Sequence, residues 1–319
     1  MPTLSEMAKL STDALQAGVF ENIITANALM PFLSFESMEG NSLLYNRENA
    51  LPASATHQVG DTWQDTEPTF TQKSAALQIV GVQSPLDRYV LQTRSDQQSQ
   101  EAVLFSSMAK SLGRKIANLI ITGDPGTTTT EWEGLTSLLI TDSRLLMMDD
   151  GSTPSPADTI TGAETELTLD RLDAMIDMVE EGLPDGLMMN KTMRRKVTAL
   201  SRASGSGVVM DQIDMFGHQV LTYNGIPIIV NDFITNSEQY ENSGGWGNST
   251  ATTIFALKFG KDKQGYTVLH NGPVLSPDIQ QLGIKENKNE NLYRMVVYIQ
   301  AVLWSAKMCA GLAGIDSAA

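Results

Sequence analysis

The sequence predicts an α+β fold whose appendages need partners outside their own core, and three observations carry that prediction. One long amphipathic helix covers about 95–122, a polar two-stranded excursion covers 41–75, and the chain closes on the alternating run "NLYRMVVYIQAVLW". The order is helical arm, hairpin, long helix, mixed helices and strands, then late strands, which is no regular βαβ wind. At 319 residues the chain can bury a large core, as one elaborate domain or two modest ones.

The opening stretch places Leu4, Met7, Ala8, Leu15, Val19, Ile23 and Ile24 mostly three and four apart, the spacing of an amphipathic arm. The next segment, "EGNSLLYNRENALPASATHQVGDTWQDTEPTFTQKSAALQIVGVQ", reads as two strands around a polar middle holding Pro52, Gly60, Asp61 and Pro68. It has few large aliphatics, and a two-stranded ribbon without a core is marginal alone. In "SDQQSQEAVLFSSMAKSLGRKIANLIITG", Ser95 and Gln98 form a capping box and Gly123 closes the helix. Leu104, Met108, Leu112, Ile116 and Ile120 repeat every fourth residue, giving a stripe along a helix of roughly 40 Å. "TLDRLDAMIDMVEEGLPDG" and "KTMRRKVTALSRASGSG" read as further helices, with "LMMN" between them as a short buried strand. In "YNGIPIIVNDFI", Gly225 permits a tight approach, Pro227 starts a strand, Ile228, Ile229 and Val230 fill the core, and Asn231 and Asp232 end it as turn formers. "TTIFALKFG", "GYTVLHNG" and the closing run are strands.

The sequence holds no recognisable catalytic constellation. The three histidines, His57, His218 and His270, are far apart, and none has a partner at metal-ligand spacing. Cys309 lies in the apolar "AKMCAGLAG" and is expected to be buried and inert; alone it makes no internal disulfide. No basic segment followed by an apolar run opens the chain, so it reads as made for a reducing cytoplasm, and Lys110, Arg114 and Lys115 interrupt the longest apolar runs. "ASGSG" lacks the nucleophile-elbow order, and "GGWG" is followed by Asn248 instead of the Lys-Ser or Lys-Thr of a phosphate loop. The pairs Asp149-Asp150 and Glu180-Glu181 read as solvated. No catalytic residue, cofactor or metal is therefore expected. The net charge of -15, with no basic stripe in view, argues against a phosphate-binding surface.

An arm, a hairpin without a core and a long scaffold helix must find burial on neighbouring subunits, the mark of an assembly protein. Six segments in order resemble the major capsid proteins of tailed bacteriophages, with the fold named after phage Hong Kong 97. "FESMEGNSLLYNRENALPASATHQVGDTWQDTEPTFTQKSAALQIVGVQSPLDRYV" resembles the extended E-loop and its "TFT" return, and the long helix with "GDP" resembles the spine helix. "EWEGLTSLL" is similar to the segment that follows it. "TLDRLDAMIDMVEEGLPDGLMMNKTMRRKVTALSRASG" and "YNGIPIIVNDFI" resemble the axial domain, and "NLYRMVVYIQAVLWSAKMCAGLAGI" resembles the closing strand and tail. The resemblance implies an N-terminal arm over 1–40, an E-loop over 41–75, a peripheral domain over 76–164 and an axial domain over 165–270. Return strands to the peripheral domain follow over 271–307, and a C-terminal tail over 308–319.

It further implies a structural subunit, self-assembling into pentamers and hexamers of an icosahedral head around double-stranded DNA in the host cytoplasm. Implied partners are a portal, a separate scaffolding protein, a decoration protein and DNA enclosed without sequence-specific binding. Some relatives weld subunits through an E-loop lysine; this E-loop holds Arg47 and Lys73 at its stems and no lysine near its tip, so no cross-link is expected. Arg47, Asp61, Trp63 and Asp65 are expected to meet the adjacent subunit, with charge reversal at Arg47 impairing assembly more than folding. The rivals are an encapsulin-like nanocompartment shell and a cytosolic enzyme using Asp232 or Glu181.

Overall fold

The computed structural model describes residues 29, 31–63, 65–89, 97–126, 128–149, 151–153, 165–203, 212–215, 218–238, 251–271 and 278–318. The helix expected in the arm and the cap at Ser95 lie outside them. The first sheet is organised by its longest strand, β13 (Glu290–Leu303). β4 (Gln78–Asp87) pairs antiparallel along one side, from Glu290↔Asp87 to Ile299↔Gln78. On the other side β12 (Asp278–Ile284) and β11 (Tyr266–His270) follow in succession, and the short β1 (Ser34–Ser37) adds to β11 in parallel. The alternation in "NLYRMVVYIQ" places Tyr293, Met295, Val297 and Ile299 inward, all buried.

The second sheet runs in the order β5 (Leu145–Met147), β14 (Cys309–Asp316), β10 (Ala251–Leu257), β6 (Gly186–Met189), β9 (Ile226–Val230), β8 (His218–Tyr223) and β7 (Gln212–Met215). Its strands β5, β14, β10, β6 and β9 are buried on both faces, which is why they read as near-continuous apolar runs. Leu187, Met189, Ile228, Ile254, Ala256 and Leu312 face α3 (Leu169–Asp177) and α4 (Lys191–Ala203). Met188, Ile229, Phe255, Leu257 and Ala313 face the other way, into the core built on α1 (Gln97–Thr122) and α2 (Leu135–Thr141). That core also takes Val80, Met295, Val297 and Leu303 from the first sheet, so α1 is the element shared by both sheets. Met108, Leu112, Ile116 and Ile120 of its predicted stripe are buried. Phe105 meets the Tyr293 ring edge-on at 5.2 Å, and Tyr293 donates to Glu101 at 2.7 Å.

Gly123 ends α1 as predicted, for a tighter reason than chain reversal. Gly134 N donates to Gly123 O at 2.7 Å, and a Cβ on Gly134 would lie 2.6 Å from Gly123 N and Ile121 O.

The structure differs from the sequence reading at three places. Gly225 serves a two-residue hairpin turn and not a close approach: Asn224 and Gly225 have φ of 49° and 78°, and nothing lies within 4 Å of a Cβ on Gly225. The stretch expected as a tail, 308–319, contains β14, hydrogen-bonded between β10 and β5 with Cys309 to Ile315 buried. β11 falls inside the range expected for the axial domain, yet it pairs with β1 and β13 in the first sheet. In both strand cases sheet membership follows hydrogen-bond partners that are distant in sequence.

Two outcomes follow from this packing. Gly134→Ala should destabilise the subunit by about 1–3 kcal/mol, because backbone must move to admit the methyl group; denaturant unfolding followed by circular dichroism checks it. Burial pushes the Cys309 thiol from its ordinary 9.0 up to about 12. Its contribution is therefore complete below pH 9 and is lost as pH rises towards 12, so Cys309→Ala should flatten that part of the alkaline stability curve.

Candidate subunit-contact surface

The hairpin of β2 (Ser42–Ala50) and β3 (Thr69–Ala76) pairs from Ser42↔Ala76 to Ala50↔Thr69 and projects from the first sheet. Every second residue at its root faces inward. Leu43, Tyr45 and Leu77 pack with Trp304 against Met38, Ala75, Leu269 and Val302, a small cluster separate from the two main cores. Tyr45 meets Trp304 edge-on at 5.2 Å, and its hydroxyl donates to Leu303 O at 3.4 Å. Burial is the largest influence on Tyr45 and raises its phenol above the ordinary 10.0.

Arg47 continues the inward alternation 43, 45, 47 and ends on Asp142. Its Nη1 lies 3.0 and 2.9 Å from the two carboxylate oxygens, Nε donates to Trp304 O at 3.0 Å, and Nη2 donates to Leu303 O. Both side chains are about nine-tenths buried, at 11% and 10% exposure. Lys73, from the opposite strand, brings Nζ to 4.0 Å of Asp142. Asp142 is the C-cap of α2, where the helix dipole disfavours an anion, and the two cations offset that penalty.

Arg47, expected at the contact with the adjacent subunit, is thus held at the hairpin root within its own chain. Its guanidinium is committed within its own chain, and reversing its charge would strike the hairpin root of the single subunit. The sequence carried half the signal, since the alternation puts Arg47 beside Tyr45. Asp142 is 95 residues away and no local spacing marks it.

Asp61, Trp63 and Asp65 fall in the connection between β2 and β3, all exposed. Asp61 accepts from Gln58 N at 2.7 Å and its own N–H donates to Gln58 O at 3.1 Å, closing a turn in which Gly60 takes φ 100°. His57 stacks on Trp63 with centroids 4.0 Å apart, yet Trp63 remains 75% exposed. Leu51, Val59 and Phe70 are likewise exposed. Between Glu48 and Gln72 there is no Lys or Arg, so the tip is apolar and acidic.

A second apolar exposure lies on the outer face of the first sheet. Ile79, Gly81, Gln83, Arg294, Val296 and Tyr298 line a shallow depression of about 370 Å³, with Ile79 and Tyr298 exposed as a cross-strand pair.

The catalytic rivals gain no geometry. Asp232 forms a surface ion pair with Lys191 at 2.8 Å, both side chains well exposed. Glu181 has φ 59° and offers its carbonyl to Lys258 Nζ at 2.8 Å. Among the described residues no three His, Cys, Asp or Glu side chains cluster at metal-binding distance. Against the expectation of no basic stripe, α4 carries Lys191, Arg194, Arg195, Lys196 and Arg202 and no acid. Among the described residues no helix is long and apolar enough to cross a membrane.

The sequence matches the family model of the phage capsid family over residues 10–259. No curated protein matches it. The fold is similar to that of the holo-SrpI encapsulin complex from Synechococcus elongatus PCC 7942, with TM-score 0.64 and 17% identity over 91% of this chain and 88% of that one. It is also similar to the capsid of a native GTA particle, with TM-score 0.61 and 14% identity over 90% and 89% of the two chains. Mycobacterium phage Bobi gives TM-score 0.58 and 13% identity over 89% of each chain.

The root geometry sets a measurable expectation. Asp142→Ala leaves Arg47 buried without its carboxylate and should cost about 3–5 kcal/mol. Hydrogen exchange should show β2 and β3 opening before the two sheets, whereas unchanged protection of the hairpin amides would refute the anchoring role.

Proposed function

The chain belongs to the phage capsid family and is a major capsid protein of the Hong Kong 97-like fold, and from that premise we propose that it closes pentamers and hexamers into an icosahedral head around double-stranded DNA. The observation that carries the assembly reading is the hairpin: anchored at Arg47 and Tyr45, it extends Leu51, Val59 and Trp63 into solvent with no core of its own. Apolar exposure of this kind at the end of a projecting element is stabilised when a neighbour covers it. The tip of one subunit is proposed to lie on the outer face of the next subunit's first sheet, with Trp63 covering Ile79 and Tyr298 and with Asp61 and Asp65 at the rim, near Arg294.

The role is structural, with assembly in the host cytoplasm. A portal, a separate scaffolding protein and a decoration protein complete the proposed partners. Enclosed DNA makes no sequence-specific contact. Lys73, the one lysine of the hairpin strands, lies at the root near Asp142, which supports a shell without covalent links between subunits. The likeness to an encapsulin complex favours one second reading, a nanocompartment shell holding enzyme cargo instead of DNA.

Electron microscopy of the expressed protein tests the main reading, with closed shells expected and their absence across salt conditions refuting it. Packaged DNA against packaged protein in particles from the natural source separates the two contents. Trp63→Ala should cut the yield of shells about tenfold or more, as loss of a central aromatic anchor does, while leaving the subunit's unfolding midpoint unchanged. On a denaturing gel, mature particles should run as a single monomer band.

A further inference from the structure

α3 and α4 pack on the same face of the second sheet and carry opposite charge. Between 165 and 185 the chain holds seven acids, Glu166, Asp170, Asp173, Asp177, Glu180, Glu181 and Asp185, against Arg171 alone. Along α4 it holds five cations and no acid. The helical period explains why both charge sets face solvent: Leu172, Met175 and Ile176 of α3 and Met193, Val197 and Ser201 of α4 are buried, so Asp170 and Asp177, and Lys191, Arg195 and Arg202, point away from the sheet. α3 runs beside β14, with residue 165 bridged to Ile315 and Glu180 N bonded to Lys307 O. α4 lies towards β9 on the other half of the sheet.

Several of these charges are already satisfied within the subunit. Asp173 accepts from the Tyr223 hydroxyl at 2.7 Å, Glu180 pairs with Lys307 at 2.9 Å, Asp185 pairs with Lys263 at 2.6 Å, and Lys196 donates to Asp316 O at 2.5 Å. Asp170, Asp177, Arg194, Arg195 and Arg202 are exposed, and their side chains make no hydrogen bond or ion pair among the described residues. The unsatisfied remainder is thus an acidic flank over β14 and a basic flank over β9 on a chain whose net charge is -15. A surface with opposite charges on opposite flanks is complementary to a second copy in the same orientation, because head-to-tail contacts set one flank against the other flank of the next copy, and such contacts form a ring where the rotation between copies closes.

We propose that this segregation orients the ring: the α4 flank of one subunit, through Arg194, Arg195 and Arg202, meets the α3 flank of the next, through Asp170 and Asp177. This deepens the capsid reading and rests on it, adding the polarity of the contact within one capsomer. The charges sit at a solvent-exposed rim, where complementarity governs orientation and encounter and suppresses wrong pairings. A phosphate backbone is the competing occupant of the basic flank, and the two make different predictions.

The test is a charge swap read by sedimentation and electron microscopy. Arg194→Glu with Arg195→Glu, and separately Asp170→Lys with Asp177→Lys, should each lower the shell fraction about tenfold or more, because like charges then face each other. The chain carrying all four substitutions should assemble again. Circular dichroism confirms the fold of each variant; if a reversed pair misfolds, Arg194→Gln with Arg195→Gln gives the same reading with a smaller loss. Normal shells from both reversed pairs, or a four-fold variant that stays unassembled while folded, overturn the proposal. So does a basic-flank variant that assembles normally but retains less DNA, which would give the flank to nucleic acid. Failure of the wild-type chain to form any shell is a different result, since it removes the capsid reading itself.

Discussion

A two-stranded ribbon cannot bury its own apolar surface, so its position depends on what holds its root, and in this subunit that is the Arg47 guanidinium. One planar cation meets the Asp142 carboxylate and the carbonyls of Leu303 and Trp304 together. Those acceptors belong to the C-cap of α2 and the end of β13, so the hairpin is referenced to a helix and a strand at once. A buried ion pair of this kind contributes little over an apolar substitute of the same shape. What it supplies is geometry, because the fixed fork of donors admits few orientations. Tyr45 and Trp304 fill the space beside it, and the angle at which the hairpin leaves the body follows from both.

The body that receives the hairpin is held by two crossings between its sheets. The chain leaves the second sheet after β10 to form β11, and returns to it after β13 to form β14. The crossings touch: Ser305 N donates to Gln264 O at 2.9 Å, and a Cβ on Gly265 would lie 2.3 Å from Lys258 O, so that position accepts no side chain. Lys258 is buried, has no carboxylate partner among the described residues, and donates to Glu180 O at 2.6 Å and Glu181 O at 2.8 Å, groups that the end of the α3 region leaves without helical partners. With the core around α1 taking residues from both sheets, the two sheets form one continuous packed unit. Packing is concentrated in the body, while exposed apolar surface lies on the appendage and unpaired charge on the outward helix faces.

The long helix, the hairpin and the strand identity of 251–257, 266–270 and 290–303 were legible in the sequence because each is decided by local periodicity. The order of those pieces carried the family resemblance, and the family match agrees with it. What local pattern could not supply was partnership. β14 is an apolar run whose place between β10 and β5 depends on strands far away in the chain. Arg47 illustrates the same limit at one residue: its inward side is set by alternation, but its partner Asp142 is fixed only by the fold. Gly225 is ambiguous for a different reason, since a turn that needs positive φ and a close backbone approach both select glycine. The basic stripe of α4 was hidden by the average, because a chain of net charge -15 can still hold five cations on one helix.

Charge and apolar surface divide the work of assembly in a physically consistent way. Rim charges act over about 10 Å at 0.1 M salt, far enough to orient an approaching copy and too weakly to hold it. Apolar groups such as Trp63, Ile79 and Tyr298 act only on contact and show no preference for polarity around a ring. A shell needs both properties, since subunits must arrive in one orientation and yet detach from wrong positions before closure. Each contact can then be modest by itself, because a subunit in a closed shell is held by several contacts at once and release requires breaking them together. An acidic chain with one basic flank meets that requirement: like-charge repulsion discourages most orientations of two copies, and the flank relieves it in one.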